Sequence, residues 1–273
     1  TQGVSGLKSG EGAATVLTTD IGRIIDRVIL YATSDSVYVL TGEGHAPALA
    51  RYFMRNIFFN DDAQVKDISA ETSVFGVYGP RAAEMLAGAG FPEVELPPHH
   101  WRQAEVAGVT AYIHRTDPIA GGGYFVIATA AEGEAVLEAL QVAGLPLVDD
   151  STYDYLRIEA GRPRFSRELT LDYIPLEAGL WEDVSFNKGC YTGQEIIARM
   201  ESRGKLAKRL VRLRPSAPVE PGTEIAAGGR PVGSITSAAD GPAGPVALGY
   251  VKTAALAEGA ALAAGQINLM VAG

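Results

Sequence analysis

Between Pro215 and Pro245 the chain places twelve glycines and prolines, among them Pro221-Gly222, Gly228-Gly229 and Gly241-Pro242. No helix survives that density, because proline removes an N–H and glycine carries a backbone-entropy cost. What lies between the breakers is short and apolar, as in Val246-Ala247-Leu248-Gly249-Tyr250-Val251. Short strands joined by Gly/Pro turns predict a small C-terminal β-barrel. Its first strand is expected at 209–213 and the boundary near Leu206, which gives domains of 1–205 and 206–273.

The preceding stretch mixes strand and helix periodicities, so the fold class is α+β, with mixed antiparallel sheets and helices. Residues 24–30 and 37–41 read as strands separated by a Ser34-Asp35-Ser36 turn. Residues 47–58 read as an amphipathic helix with Leu49, Phe53 and Ile57 on one face. A strand at 74–78 runs into a helix opened by Pro80 and continuing through Leu86. Strands follow at 106–114 and 124–129, then a helix at 132–143 that Gly144 and Pro146 terminate. No repeat has a solenoid or propeller period.

At 47% hydrophobic and 20% charged, the 273 residues suffice for ample core. No apolar run reaches the roughly 18 residues of a membrane span, so no spanning segment is expected, nor is a basic-then-apolar leader expected among these residues. One cysteine excludes an internal disulfide framework and suits a reducing cytoplasm. Thr1-Gln2-Gly3-Val4 reads as the middle of an element, so an N-terminal strand and helix are expected to precede it. The net charge of −9 argues against direct nucleic-acid binding. It is uneven: from Lys188 to Arg214 eight bases oppose Glu195 and Glu201, so this stretch is +6 and the rest −15. Such a run is either a solvated helix face or a docking surface for an anion.

The single cysteine lies in Lys188-Gly189-Cys190-Tyr191-Thr192-Gly193-Gln194-Glu195. Thr192 and Glu195 have the spacing of a capping box, which places a helix start there. Cys190 would then sit near the positive end of a helix with the Lys188 ammonium close by. Both effects favour thiolate, the reactive form. The plainer alternative is a structural turn with an inert cysteine.

That string resembles the signature of the YgfZ family, folate-binding proteins related to the aminomethyltransferase (T-protein) of the glycine cleavage system. The resemblance extends to Thr19–Asp26, to Val74–Ala82 and to Leu156-Arg157-Ile158-Glu159-Ala160-Gly161. It implies an aminomethyltransferase-like folate-binding fold ending in a barrel, tetrahydrofolate as ligand, and partners among iron–sulfur proteins or cluster-assembly factors. The function it implies is support of iron–sulfur cluster assembly or repair and, through cluster enzymes, of tRNA modification. Cys190 and Lys188 would form the functional centre, with Gly189, Tyr191, Thr192, Gly193, Gln194 and Glu195 shaping the loop. Tyr153, Arg157, Glu159 and Asp26 would meet folate.

Taken by themselves these residues have plainer readings. Arg157 and Glu159 alternate with Leu156 and Ile158, so along a strand they would share one face as a surface pair. Tyr153 could stack on a pterin or aminobenzoyl ring, or simply pack. Asp26 stands where the transferases carry paired acids, and Arg27 replaces the second. The Asp117–Tyr124 loop lacks the glutamate those enzymes use to recognise the pterin. Whether the chain is an enzyme is therefore left open. A folate-dependent aminomethyltransferase or demethylase relying on Asp26 is one alternative. A ligand-free interaction module using Arg203, Lys205 and Lys208 is another. His45, His99, His100 and His114 lack ligand spacing and no metal site is expected. His99-His100 reads as a solvent loop, and Trp101 and Trp181 as packing residues.

Overall fold

The structure, a computed structural model, describes residues 1–92 and 94–272, with Arg203 described in its backbone alone. Strands β1 (Gly12–Thr18), β2 (Ile24–Ala32) and β3 (Val37–Leu40) form one sheet in that order, followed by α1 (Ala46–Arg55). Next come β4 (Thr72–Tyr78), α2 (Ala82–Gly88), β5 (Trp101–Val106), β6 (Val109–Ile119), β7 (Gly122–Thr129) and α3 (Gly133–Val142). Helices α4 (Asp150–Glu159) and α5 (Gln194–Arg203) precede β8 (Lys208–Pro215), β9 (Glu224–Ala227), β10 (Arg230–Ala239) and β11 (Val246–Lys252). Helix α6 (Thr253–Ala257), β12 (Leu262–Ala264) and β13 (Ile267–Ala272) complete the chain. Thr1–Val4, expected inside an element, lie in neither helix nor strand.

The chain divides into two compact units, one of 1–3, 15–27 and 148–273, the other of 4–14 and 28–147. In the second, β4-β7-β6-β5 make an antiparallel sheet. Val77, Ile113 and Val126 pack with Leu86 of α2 and with Val136 and Leu140 of α3. Burying each large side chain of this kind contributes about 1.5–3 kcal/mol. The strand expected at 106–114 is in fact the second arm of a hairpin, with Val106 pairing Val109 across Ala107-Gly108. That turn lacks the Asn-Gly or Asp-Gly signal by which hairpins are read. β6 also continues through Asp117-Pro118, since proline is tolerated beside the register shift between Arg115 and Ile119.

His99 and His100 do not form a solvent loop. His114 is fully buried, its ring stacked between those of His99 and Phe125, each 5.8 Å away. Tyr31 Oη lies 3.0 Å from His114 Nδ1. His100 is half-buried, its Nδ1 3.1 Å from the Pro98 carbonyl. Trp101 packs edge-on against Tyr112, whereas Trp181 is 41% exposed and meets Phe186.

In the first unit β10-β11-β8-β13-β12-β9 close into a barrel, which leaves no long strand edge to pair with another chain. Leu213, Ile225, Ile235, Val251, Leu262 and Leu269 fill it. Leu156–Glu159 is the second half of α4, not a strand. The helix is set by Asp149, whose Oδ1 accepts the Thr152 N–H at 2.8 Å. Residues two apart on a helix point about 200° apart, so Arg157 and Glu159 cannot share a face. Among the described residues no helix is long and apolar enough to cross a membrane.

Candidate functional site

The stretch from Lys188 to Glu195 forms an arch leading into α5, in the unit that holds the barrel. Cys190 is exposed within it. Lys188 is half-buried: its Nζ donates to the Gln2 carbonyl at 3.1 Å and lies 5.6 Å from the Tyr191 ring centroid. The ammonium is thus a strut of the arch. Tyr191 packs beside Ile174, Leu176, Val184 and Ile197, and burial pushes its phenol up.

The capping box does not form. Helix α5 begins at Gln194 with Gly193 as its N-cap, and no side chain caps it. Gly193 takes φ +84°, and a Cβ there would stand 2.6 Å from the Thr19 carbonyl and 2.8 Å from Gly22 Cα. Only glycine allows both the left-handed turn and that approach. The helix therefore starts one residue later than the Thr192-x-x-Glu195 spacing requires. Gln194 Oε1 instead reaches back to the Tyr191 N–H at 3.2 Å, and the Thr192 carbonyl accepts the Thr18 hydroxyl at 2.6 Å. Gly189 and Glu195 are exposed.

The four residues assigned to folate fall in different surroundings. Arg157 is 2% exposed and Glu168 fully buried. Arg157 Nε donates to Asp154 Oδ1 at 2.6 Å, Nη1 to Glu168 Oε2 at 3.1 Å and to the Arg162 carbonyl at 3.3 Å, and Nη2 to Ser237 Oγ at 2.8 Å. Ser237 Oγ also donates to Glu168 Oε1 at 2.6 Å. Burial works against ionised Asp154, but Arg157 and Arg164 outweigh it and hold the carboxyl below its usual range. Glu159 pairs with Arg214, and its carbonyl accepts from Arg212 at 2.6 Å. Tyr153 is half-buried with the Arg164 guanidinium 5.8 Å from its ring centroid. Asp26 is fully buried on β2.

Two features escaped the sequence reading. Glu168 and Ser237 complete the Arg157 network from 69 residues apart, and no local pattern announces a pairing at that distance. Arg27 forms a forked ion pair with Asp183, Nε to Oδ2 at 2.5 Å and Nη2 to Oδ1 at 3.3 Å. The basic run is not one helix face either. Lys208 covers the Tyr173 ring at 4.3 Å and Arg212 and Arg214 bind Glu159, while Arg199 and Lys205 are exposed. The Arg203 side chain lies outside the described residues.

A cleft of about 200 Å³ is lined by Arg162, Pro163, Leu180 and Arg212, and a groove of about 600 Å³ by Arg209, Leu256, Leu269 and Met270. Tyr153, Arg157, Glu159 and Asp26 line neither. No group of three His, Cys, Asp or Glu able to hold a metal occurs among the described residues.

The profile of the GCVT N-terminal domain matches residues 1–188, and that of the CAF17 C-terminal β-barrel domain matches 208–272. The chain belongs to the GCVT N-terminal domain family, in the two-domain architecture of the YgfZ/CAF17 proteins. It is 30% identical over 263 residues to a chloroplastic protein of Arabidopsis thaliana named as a candidate transferase, covering 95% of this chain and 61% of that protein. With the aminomethyltransferase of Thermus thermophilus it shares 28% identity over 262 residues, 91% of this chain and 71% of the relative. The crystal structure of glycine cleavage system aminomethyltransferase T from Bartonella henselae matches with a TM-score of 0.84 and 25% identity, over 98% of this chain and 76% of that one. The fold is thus that of the aminomethyltransferases.

Proposed function

We propose that the protein is a tetrahydrofolate-binding factor that supports assembly or repair of iron–sulfur clusters and, through cluster enzymes, tRNA modification, with Cys190 as its functional thiol. The observation that carries this reading is the arch itself, which presents an exposed thiol on a backbone held at Lys188, Tyr191, Thr192 and Gly193. A thiol used only for packing would be buried. The exposed Cys190 is open to an iron–sulfur partner or a cluster-assembly factor. The single cysteine suits a reducing compartment such as the cytoplasm.

The fit to tetrahydrofolate narrows the residues that would meet it. Arg157 spends its donors on Asp154, Glu168, Ser237 and Arg162, and Glu159 is tied to Arg214 and Arg212. Tyr153 is then the aromatic surface for the ligand, with Arg164 beside it, and Asp26 the buried acid. Arg157 and Glu159 support the ligand indirectly by fixing α4.

A second reading, a folate-dependent aminomethyltransferase, is favoured by the buried Asp26 and by the named activity of the bacterial relatives. Arg27 and the acid-free Gly121–Gly123 turn weigh against it. Anaerobic calorimetry with tetrahydrofolate, paired with rescue of a cluster enzyme in cells lacking the protein, tests both. Saturable folate binding together with loss of rescue by Cys190→Ser is the expected result. Full rescue by Cys190→Ser overturns the thiol role, and methylene transfer to tetrahydrofolate that depends on Asp26 moves the function to the second reading.

A further inference from the structure

The Cys190 arch and the segment that leads into it both rest on the β1–β2 hairpin. At the far foot, Thr18 at the end of β1 binds the Thr192 carbonyl, and Gly193 presses on Thr19 and Gly22 of the turn. The near foot is the segment just before the arch, where Arg27 of β2 grips Asp183, seven positions before Cys190. The side chains of that pair are 18% and 8% exposed. The neighbouring strap is also held: the Asp183 carbonyl accepts the Thr1 hydroxyl at 2.9 Å, and the Glu182 carbonyl accepts Gln2 Nε2 at 2.7 Å.

We propose that Arg27 and Asp183 are a positioning pair that fixes the near foot of the arch and thereby sets how Cys190 is presented; the functional part of this rests on the thiol role proposed above. Stability alone does not account for the pair. A largely buried ion pair is no better for stability than packed apolar side chains of equal volume, because both charges lose water. What it supplies is direction, since a guanidinium fork meets a carboxylate in one plane and register. An apolar pair at the same place would hold the fold and let the foot slide.

The decisive variant is therefore the apolar pair, Arg27→Met with Asp183→Leu, compared with Arg27→Lys and with the reversed pair Arg27→Asp plus Asp183→Arg. Each is measured for melting temperature, backbone hydrogen exchange over 184–193, the pH profile of Cys190 alkylation, and rescue of the cluster enzyme. The apolar pair is expected to melt close to the wild type, yet to exchange about tenfold faster over 184–193. It should also shift the alkylation profile and lose most of the rescue. Arg27→Lys, which keeps the charge without the fork, should fall between, and the reversed pair should return toward wild type. Wild-type exchange and alkylation in the apolar pair overturn the proposal. So does a faster exchange that leaves rescue intact where Cys190→Ser abolishes it. If Cys190→Ser rescues fully, the thiol role fails by itself, and the exchange data still decide whether the pair fixes the arch.

Discussion

Glu177 is 6% exposed, and its Oε2 accepts the Ile174 N–H at 3.2 Å. Burial raises its carboxyl above the ordinary range, while that bond and the charges of Lys208 and Arg23 pull the other way. A carboxyl raised in the folded state takes up its proton more readily there than in the unfolded chain. Its contribution is then most favourable below the unfolded value and is lost as pH rises through the folded one. Glu177→Gln keeps an acceptor for Ile174 and removes the charge. The variant should resist urea better than wild type at pH 7.5, with the gap closing toward about pH 4, near the unfolded value. A gap that widens on acidification would contradict this account. The sequence contained no sign of it, because Leu176-Glu177-Ala178 looks the same whether the acid faces water or protein.

Helix α5 and helix α4 failed the sequence reading for opposite reasons. At α5 a local signal was present and tertiary contact overrode it: the Thr192–Glu195 spacing was right, but the approach of Thr19 and Gly22 fixed Gly193 as the N-cap. At α4 the local signal was missed. Asp149 with Thr152 is a capping pattern, yet the alternation from Leu156 to Glu159 imitated a strand. Strands β2, β4, β7 and β11 were legible because β-branched or aromatic runs between turn residues leave few other options. The glycine at the start of α5 yields a direct prediction. Gly193→Ala must place a Cβ 2.6 Å from a carbonyl oxygen at positive φ, so it should cost at least about 1–3 kcal/mol. Urea denaturation would measure that, and a loss below a few tenths would mean the arch relaxes freely.

At the scale of the molecule, the charge that looked like one surface is divided by the fold. Of the +6 segment, Lys208, Arg212 and Arg214 are engaged by Tyr173 and Glu159 and Lys188 by Gln2, while Arg199, Lys205 and Arg209 are exposed. The docking role once open to the whole run shrinks accordingly. Inside the same unit, the Arg157 network joins α4, the 162–168 segment and β10 through Asp154, Glu168 and Ser237. Removing one member strands the others. Arg157→Met should leave the buried Glu168 without its cation, at a cost of about 3–5 kcal/mol. A urea midpoint unchanged within error would show that the network is not needed to hold these segments.

The order of the chain determined by itself the α+β class, the C-terminal barrel, most strands and the arch that carries the single cysteine. These follow from turn residues, from short-range periodicity and from one contiguous motif, all of which act within a few residues. Only the tertiary structure decided the surroundings of the site. It put Arg157 in a buried network with Asp154, Glu168 and Ser237 and set the helix start at Gly193. It also gave Arg27 an acid on a distant segment and held Lys188 against Gln2. Each of these depends on groups brought together from far along the chain, where burial and geometry fix partners that no local spacing encodes.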